Sequence, residues 1–143
     1  MVTNFTNHIV GGKASFNKDS KDDRQLLIDY VLHSSDISNL IRPLHIYRIW
    51  CDVLFEEYLQ QGDEEKKNGL PVSPYMDRDS TDQVRMSINF VDFIGLPLFG
   101  AIAKAFPDVK FFMERLKENR AFWAEKRGQK VFIYLFGLFG LFY

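Results

Sequence analysis

Apolar residues in this sequence recur every three or four positions, and over no useful length do they alternate with period two. That rhythm lines up side chains on one face of a helix, whereas a half-buried strand needs alternation. The fold class expected is all-α, a bundle of roughly four to six helices. The chain is 143 residues long, about one domain. Neither an internal repeat nor a low-complexity tract interrupts it.

The periodic runs can be placed. Leu26, Leu27, Tyr30, Val31 and Ser34 share one face of a helix that starts near Asp22 or Asp23, and Ser38-Asn39 breaks it. Pro43 suits a first helical position, where its missing N–H would be unpaired anyway. The helix it opens carries Ile46, Tyr47, Ile49, Trp50, Val53 and Leu54, and Gly62 is expected to end it. Residues 63–68 (DEEKKN) read as a solvated turn, and residues 70–74 (LPVSP) as extended, because residues before Pro avoid the helical region. Ser80 with Gln83 makes a capping box. It opens a helix with Val84, Ile88, Val91, Phe93, Ile94, Leu98 and Ile102 inward, kinked at Pro97. Pro107-Asp108 starts a last helix, with Phe111, Phe112, Leu116, Phe122 and Trp123 inward and Gly128 as its end.

Composition narrows the function classes. With 18 basic and 19 acidic residues the net charge is -1, which argues against a protein built to coat nucleic acid. One cysteine, Cys51, excludes an internal disulfide and a cysteine-based zinc cage, and fits a reducing, cytoplasmic setting. No apolar run follows Met1, so no secretory leader is expected. His8, His33 and His45 lie apart, with no HExxH or HD pair. Gly11-Gly12-Lys13 is too bare for a phosphate loop.

Residues 128–143 form an apolar tail set apart from a domain at 1–127. Residues 131–143 (VFIYLFGLFGLFY) carry no charge and hold Phe132, Phe136, Phe139 and Phe142. The stretch is short of the ~20 apolar residues a spanning helix needs, and its β-propensity is high. Self-association, contact with a membrane interface, and an error in the reading frame all stay open as its explanation.

Two stretches carry a more specific signal. The first is His33-Ser34-Ser35-Asp36-Ile37-Ser38-Asn39, followed by Arg42-Pro43, Tyr47-Arg48, Trp50, Glu56-Glu57-Tyr58 and Gln61-Gly62-Asp63. The second is Gly69-Leu70-Pro71-Val72-Ser73-Pro74, then Asp77-Arg78, Phe90-Val91-Asp92-Phe93-Ile94, Pro97-Leu98-Phe99, and Leu116, Asn119, Arg120 and Trp123. In order and spacing they resemble the C-terminal half of the class I 3',5'-cyclic nucleotide phosphodiesterase catalytic domain. Thr3-Asn4-Phe5 through His8 resembles the segment that precedes them.

That resemblance implies metal-dependent hydrolysis of cAMP or cGMP to the 5'-monophosphate, in signal transduction. Zinc and magnesium (or manganese) would share a bridging hydroxide, and a histidine would protonate the leaving 3' oxygen. Asp36 matches the family's last zinc ligand. Phe90 matches the aromatic face that stacks on the base, with Leu54 as the opposing jaw. Asn39, Tyr47 and Trp50 match positions lining the same pocket, and His33, Asp63 and Asp92 match positions read as structural. The family's other metal ligands and its catalytic histidine lie N-terminal to the matching segment. No catalytic residue is therefore assigned here, and the chain is expected to be inactive alone, with Ile46, Trp50 and Leu98 partly exposed. A non-catalytic remnant or regulatory binding protein is the alternative. Ser87 stands where the family has a purine-binding glutamine, and its hydroxyl is too short for the same pairing.

Overall fold

The computed structural model describes residues 17–139, with side chains through Gly128. The Thr3–His8 match and the Gly11-Gly12-Lys13 run fall outside them, as do the side chains of the apolar tail. Among the described residues there are five α-helices and no strand, as the periodicity predicts: α1 (Lys21–Asp36), α2 (Leu44–Lys67), α3 (Gln83–Phe90), α4 (Leu96–Ala105) and α5 (Phe111–Phe139). Short 3-10 turns at Ser38–Ile41 and Pro107–Val109 link α1 to α2 and α4 to α5.

The helix starts follow capping chemistry. Ser20 caps α1, its hydroxyl accepting from the Asp23 N–H at 3.3 Å, while the Asp23 carboxylate accepts from the Asn17 N–H at 2.7 Å. Pro43 is the capping residue of α2, one position before its first turn. At α3 the expectation fails: Asp82, not Ser80, is the cap. Its carboxylate accepts from the N–H groups of Val84 and Arg85 at 2.7 and 3.1 Å. Gln83 reaches across instead to Asp52 on α2, at 2.8 Å.

Gly62 does not end α2. The helix runs five residues further, to Lys67, and the segment read as a turn is its last turn. Gly62 is buried where the chain returns over it: a Cβ there would stand 1.8 Å from the Met76 carbonyl oxygen. The glycine is therefore a close-approach residue. Gly69, at φ +67°, is the one that turns the chain away. Ion pairs hold the returning segment, with Lys66 to Asp77 at 2.7 Å and Arg78 to both Glu56 and Asp63 at 3.0 and 2.8 Å.

Pro97 deforms the α3–α4 run by a widened turn. Residues Val91–Gly95 form a π turn in which the Leu96 N–H donates to the Val91 carbonyl. The wider turn leaves room for the Pro97 ring against the preceding carbonyls, which a regular helix denies. It also resets the rotation of the helix. Phe93 and Ile94, expected inward, are 74% and 41% exposed, while Val91, Leu98 and Phe99 are buried. Leu98 is thus fully covered, against the expectation that it would be partly open. The run Gln83–Ala105 has the length and hydropathy of a membrane span, but half of it is buried inside the fold.

The core forms where α3, the π turn and α4 meet α5 and the Ser38–Ile41 turn. Tyr30, Leu40, Tyr47, Val91, Leu98, Phe99, Leu116 and Trp123 are all at or below 2% exposure. Gly95 sits between Leu40 and Leu116, where a Cβ would come within 2.9 and 3.1 Å of their methyl carbons. Asn119 joins the elements by polar bonds: its amide donates to the carbonyls of Leu40 and Arg42 at 2.8 and 2.9 Å. Gly128 does not stop α5, whose backbone continues helical to Phe139. The strand-like composition of the tail is overridden there. Val31 and Phe111, placed inward by spacing, are 49% and 53% exposed.

Candidate functional site

The end of α1, the turn after it and the middle of α2 enclose an open cleft of about 510 Å³. Its lining is Ser35, Asp36, Ser38, Asn39, Arg42, Trp50 and Leu54. Four of the sequence-predicted site residues, Asp36, Asn39, Trp50 and Leu54, are therefore neighbours. Local folding explains why. Asp36 is the last residue of α1, and Asn39 belongs to the 3-10 turn that reverses the chain. Asn119 fixes that turn from behind through Leu40 and Arg42. Trp50 and Leu54 lie one turn apart on α2, so their side chains fall on one side of it.

The cleft joins unlike surfaces. Trp50 is 50% exposed, an indole face turned to solvent, with Leu54 half-buried beside it. Asp36 is exposed and supplies a carboxylate, and Arg42 supplies a cation at the other side. The Asn39 amide makes no hydrogen bond among the described residues, while its backbone carbonyl accepts from the Arg42 N–H at 3.2 Å. A flat apolar ring with polar or anionic substituents would match such a lining.

The remaining predicted residues sit elsewhere. Tyr47 is 1% exposed, and its hydroxyl accepts from the Trp123 indole N–H at 3.1 Å, so it lies in the core rather than in the cleft wall. Burial drives its phenol pKa far up. Ser87 is buried too, on α3. Burial pushes the Cys51 thiol up. Phe90, one turn beyond Ser87 on α3, is 38% exposed and outside the lining of this cleft. His33 is half-buried and shares with Asp29, Leu32 and Asp36 a shallow depression on α1. Asp63 and Asp92 are ion-paired, the latter doubly to Arg120, with Nη2 2.8 Å from Oδ2. Ser35 and Arg42 stand in the sequence motif without an assigned site role, and the turn that brings Arg42 back beside Asn39 places it in the lining.

Whether the described residues could hold the implied metals is decided by their donors. Asp36 offers one carboxylate, and no group of three or more His, Cys, Asp or Glu side chains comes together among the described residues. A zinc site takes about four ligands, at least three from protein. These residues alone do not make one. A larger groove of about 900 Å³ between α1, α4 and α5 is bordered by Arg42 and Arg115, and its lining is mostly apolar, with Val31, Phe99, Ile102 and Phe112. It offers no carboxylate for acid–base or metal chemistry.

Comparison with known proteins converges on one group. The family model described as 3'5'-cyclic nucleotide phosphodiesterase matches residues 1–116. The chain is 33% identical over 119 residues to the 3',5'-cyclic-nucleotide phosphodiesterase regA of Dictyostelium discoideum, covering 83% of this chain and 15% of that protein. It is 38% identical over 112 residues to the high affinity cGMP-specific 3',5'-cyclic phosphodiesterase 9A of Mus musculus, covering 78% of this chain and 21% of that protein. The solved structure of LmjPDEB1 in complex with IBMX superposes with a TM-score of 0.80 at 29% identity, covering 90% of this chain and 38% of that one. The chain thus spans about a fifth or less of these two curated relatives.

Proposed function

Since this chain belongs to the 3',5'-cyclic nucleotide phosphodiesterase family, we propose that its cleft is the nucleoside side of a site hydrolysing 3',5'-cyclic nucleotides to 5'-monophosphates. The observation that carries the reading is the meeting of Asp36, Asn39, Trp50 and Leu54 in one cleft. Asp36 is assigned as one ligand of a zinc and magnesium (or manganese) pair. Asn39, Trp50 and Leu54 are assigned to the nucleoside, with Phe90 as a stacking face and Tyr47 and Ser87 supporting from beneath. Because the described residues bring Asp36 no companion ligands, the hydrolysis is assigned to a domain in which other sequence supplies them. The partner is then a cyclic nucleotide in a cytoplasmic signalling context. No role is assigned to nucleic acid.

The test is hydrolysis by the longest natural form of the chain, with Zn²⁺ and Mg²⁺ or Mn²⁺ added, the 5'-monophosphate being resolved by chromatography. Asp36→Asn is expected to abolish turnover. Undiminished turnover in that variant refutes the assignment. The same lack of companion ligands favours a second reading, a non-catalytic binding protein of the family. Stoichiometric zinc uptake by the 143-residue chain would count against that alternative.

A further inference from the structure

Helix α5 runs on past the core it packs into. Leu116, Asn119 and Trp123 are buried. Residues 125–128 are all exposed, and a Cβ at Gly128 would meet nothing within 4 Å. The backbone nevertheless stays helical to Phe139. At the helical rise it runs about 24 Å beyond Trp123. Two kinds of residue follow one another along that extension. Lys126, Arg127 and Lys130 come first, with no acid among residues 126–130, in a chain whose net charge is -1. The Lys126 ammonium lies 4.9 and 5.4 Å from the centroids of the Phe122 and Trp123 rings, and the Arg48 guanidinium lies 4.8 Å from that of Phe122. Arg48, Lys126 and Arg127 form no ion pair among the described residues. Residues 131–143 then carry only Val, Ile, Leu, Phe, Tyr and Gly.

What covers such a helix follows from its pattern. A helix that docks in a protein groove keeps a polar face for solvent, because the groove covers one side only. Residues 131–139 hold no charged or amide side chain at any position, so no rotation of the helix offers such a face. A helix apolar all round needs surroundings that are apolar all round. A lipid leaflet provides them, and a second copy lying along one side does not. Length sets the depth. The helical residues 131–139 rise about 14 Å, against about 15 Å for half a hydrocarbon core, enough to enter one leaflet and too little to cross two. Cations directly before an immersed segment fall at the level of the headgroups, where acidic lipids attract them.

We propose that the far end of α5 is a membrane anchor: residues 131–143 enter one leaflet of an anionic bilayer, and residues 126–130 lie at its headgroups. The partner is a lipid surface of negative charge. It is held by burial of the apolar segment and by cations that no acid in the fold neutralises. The proposal does not depend on the reading of the cleft.

Flotation through a density gradient tests it, because aggregates sink while vesicle-bound protein rises. The 143-residue chain is mixed with vesicles of phosphatidylcholine alone or with about 30 mol% phosphatidylserine. The expected result is flotation with the anionic vesicles and binding about tenfold or more weaker to the neutral ones. Phe136→Asp should abolish flotation and leave the urea midpoint unchanged, since the open space at Gly128 separates the segment from the core. Arg127→Gln combined with Lys130→Gln should weaken binding to the anionic vesicles by about twentyfold, at about fivefold for each charge removed, and leave neutral binding as it is. Undiminished flotation of Phe136→Asp overturns the proposal, as does equal binding to the two kinds of vesicle. A chain that stays at the bottom with both also overturns it, and an oligomer dispersed by Phe136→Asp would then assign the segment to a second copy.

Discussion

Asn119 is the point at which the fold holds the candidate site, and removing its side chain tests that directly. Asn119 is fully buried, and its amide donates to the carbonyls of Leu40 and Arg42 at 2.8 and 2.9 Å. In Asn119→Ala both carbonyls lose their donor. A buried carbonyl left unpaired costs about 1–3 kcal/mol, and the Leu40 carbonyl is the more buried of the two. The truncation also leaves a small void. Against these, the Asn119 Oδ1 is buried without a partner, so deleting it returns part of its own desolvation cost. The balance is a loss of about 2–3 kcal/mol, read as a fall in the urea midpoint of about 1 M at unchanged slope. Asn119→Asp is expected to cost more than Ala at pH 7, because its carboxylate would face two carbonyl oxygens. Hydrogen exchange should speed up at the amides of Ser38–Ile41, the turn that carries Asn39. A change below about 0.5 kcal/mol in Asn119→Ala, or an Asp variant more stable than Ala, would refute the reasoning.

Three further substitutions probe other parts of the fold. Gly62→Ala should lower stability by about 1–3 kcal/mol by urea unfolding, because its Cβ would enter the Met76 backbone, whereas Gly128→Ala, with open space around it, should not lower it. Arg120 holds the Asp92 carboxyl below the usual carboxylate range, so the pair contributes above the ordinary aspartate pKa of about 4 and is lost as the pH falls below it. Asp92→Asn should cost about 1 kcal/mol or less at pH 7, since both groups are partly exposed, and its difference from the wild type should shrink as the pH falls below the ordinary aspartate range in acid titration of unfolding. Burial raises the Tyr30 phenol from 10.0 to about 12, so the unfolded chain loses that proton first and stability falls as the pH rises between the two values. Tyr30→Phe should remove that part of the alkaline loss in guanidinium unfolding at successive pH values, while costing about 1 kcal/mol near neutrality for the lost bond to the Leu98 carbonyl.

The helices were legible because their apolar spacing is regular, and their ends were less so because several depend on residues far along the chain. Nothing near Gly62 says that the Met76 backbone will press on it, so a glycine in a helix reads as an end. Ser80 and Asp82 both fit a cap, and the choice falls to the one two residues before Val84, where its carboxylate meets two N–H groups. At Pro97 a kink was foreseen but not the π turn that absorbs it, and the inward placement of Phe93 and Ile94 failed with it. For the cleft, the resemblance to the phosphodiesterase family brought forward Asp36, Asn39, Trp50 and Leu54, which the fold does bring together. Tyr47 shows the limit of such matching, since spacing along α2 does not distinguish the face toward the cleft from the face toward Trp123.

The division between those two faces of α2 sets what the cleft can do. Tyr47 turns inward to Trp123, and Trp50 and Leu54 turn to the cleft. The Tyr47 hydroxyl and the Trp123 indole thereby pair in the core, where leaving them unpaired would be costly, and the exposed face keeps an indole and an aliphatic chain. Stability of the core and chemical neutrality of the cleft wall thus come from the same arrangement. The polar groups of the cleft then come from the turn at Ser38–Ile41 and the end of α1, where Asn39 and Asp36 sit. Because Asn119 on α5 holds that turn through the Leu40 and Arg42 carbonyls, Asn119→Ala should weaken the nucleotide binding proposed for the cleft without any contact to the nucleotide.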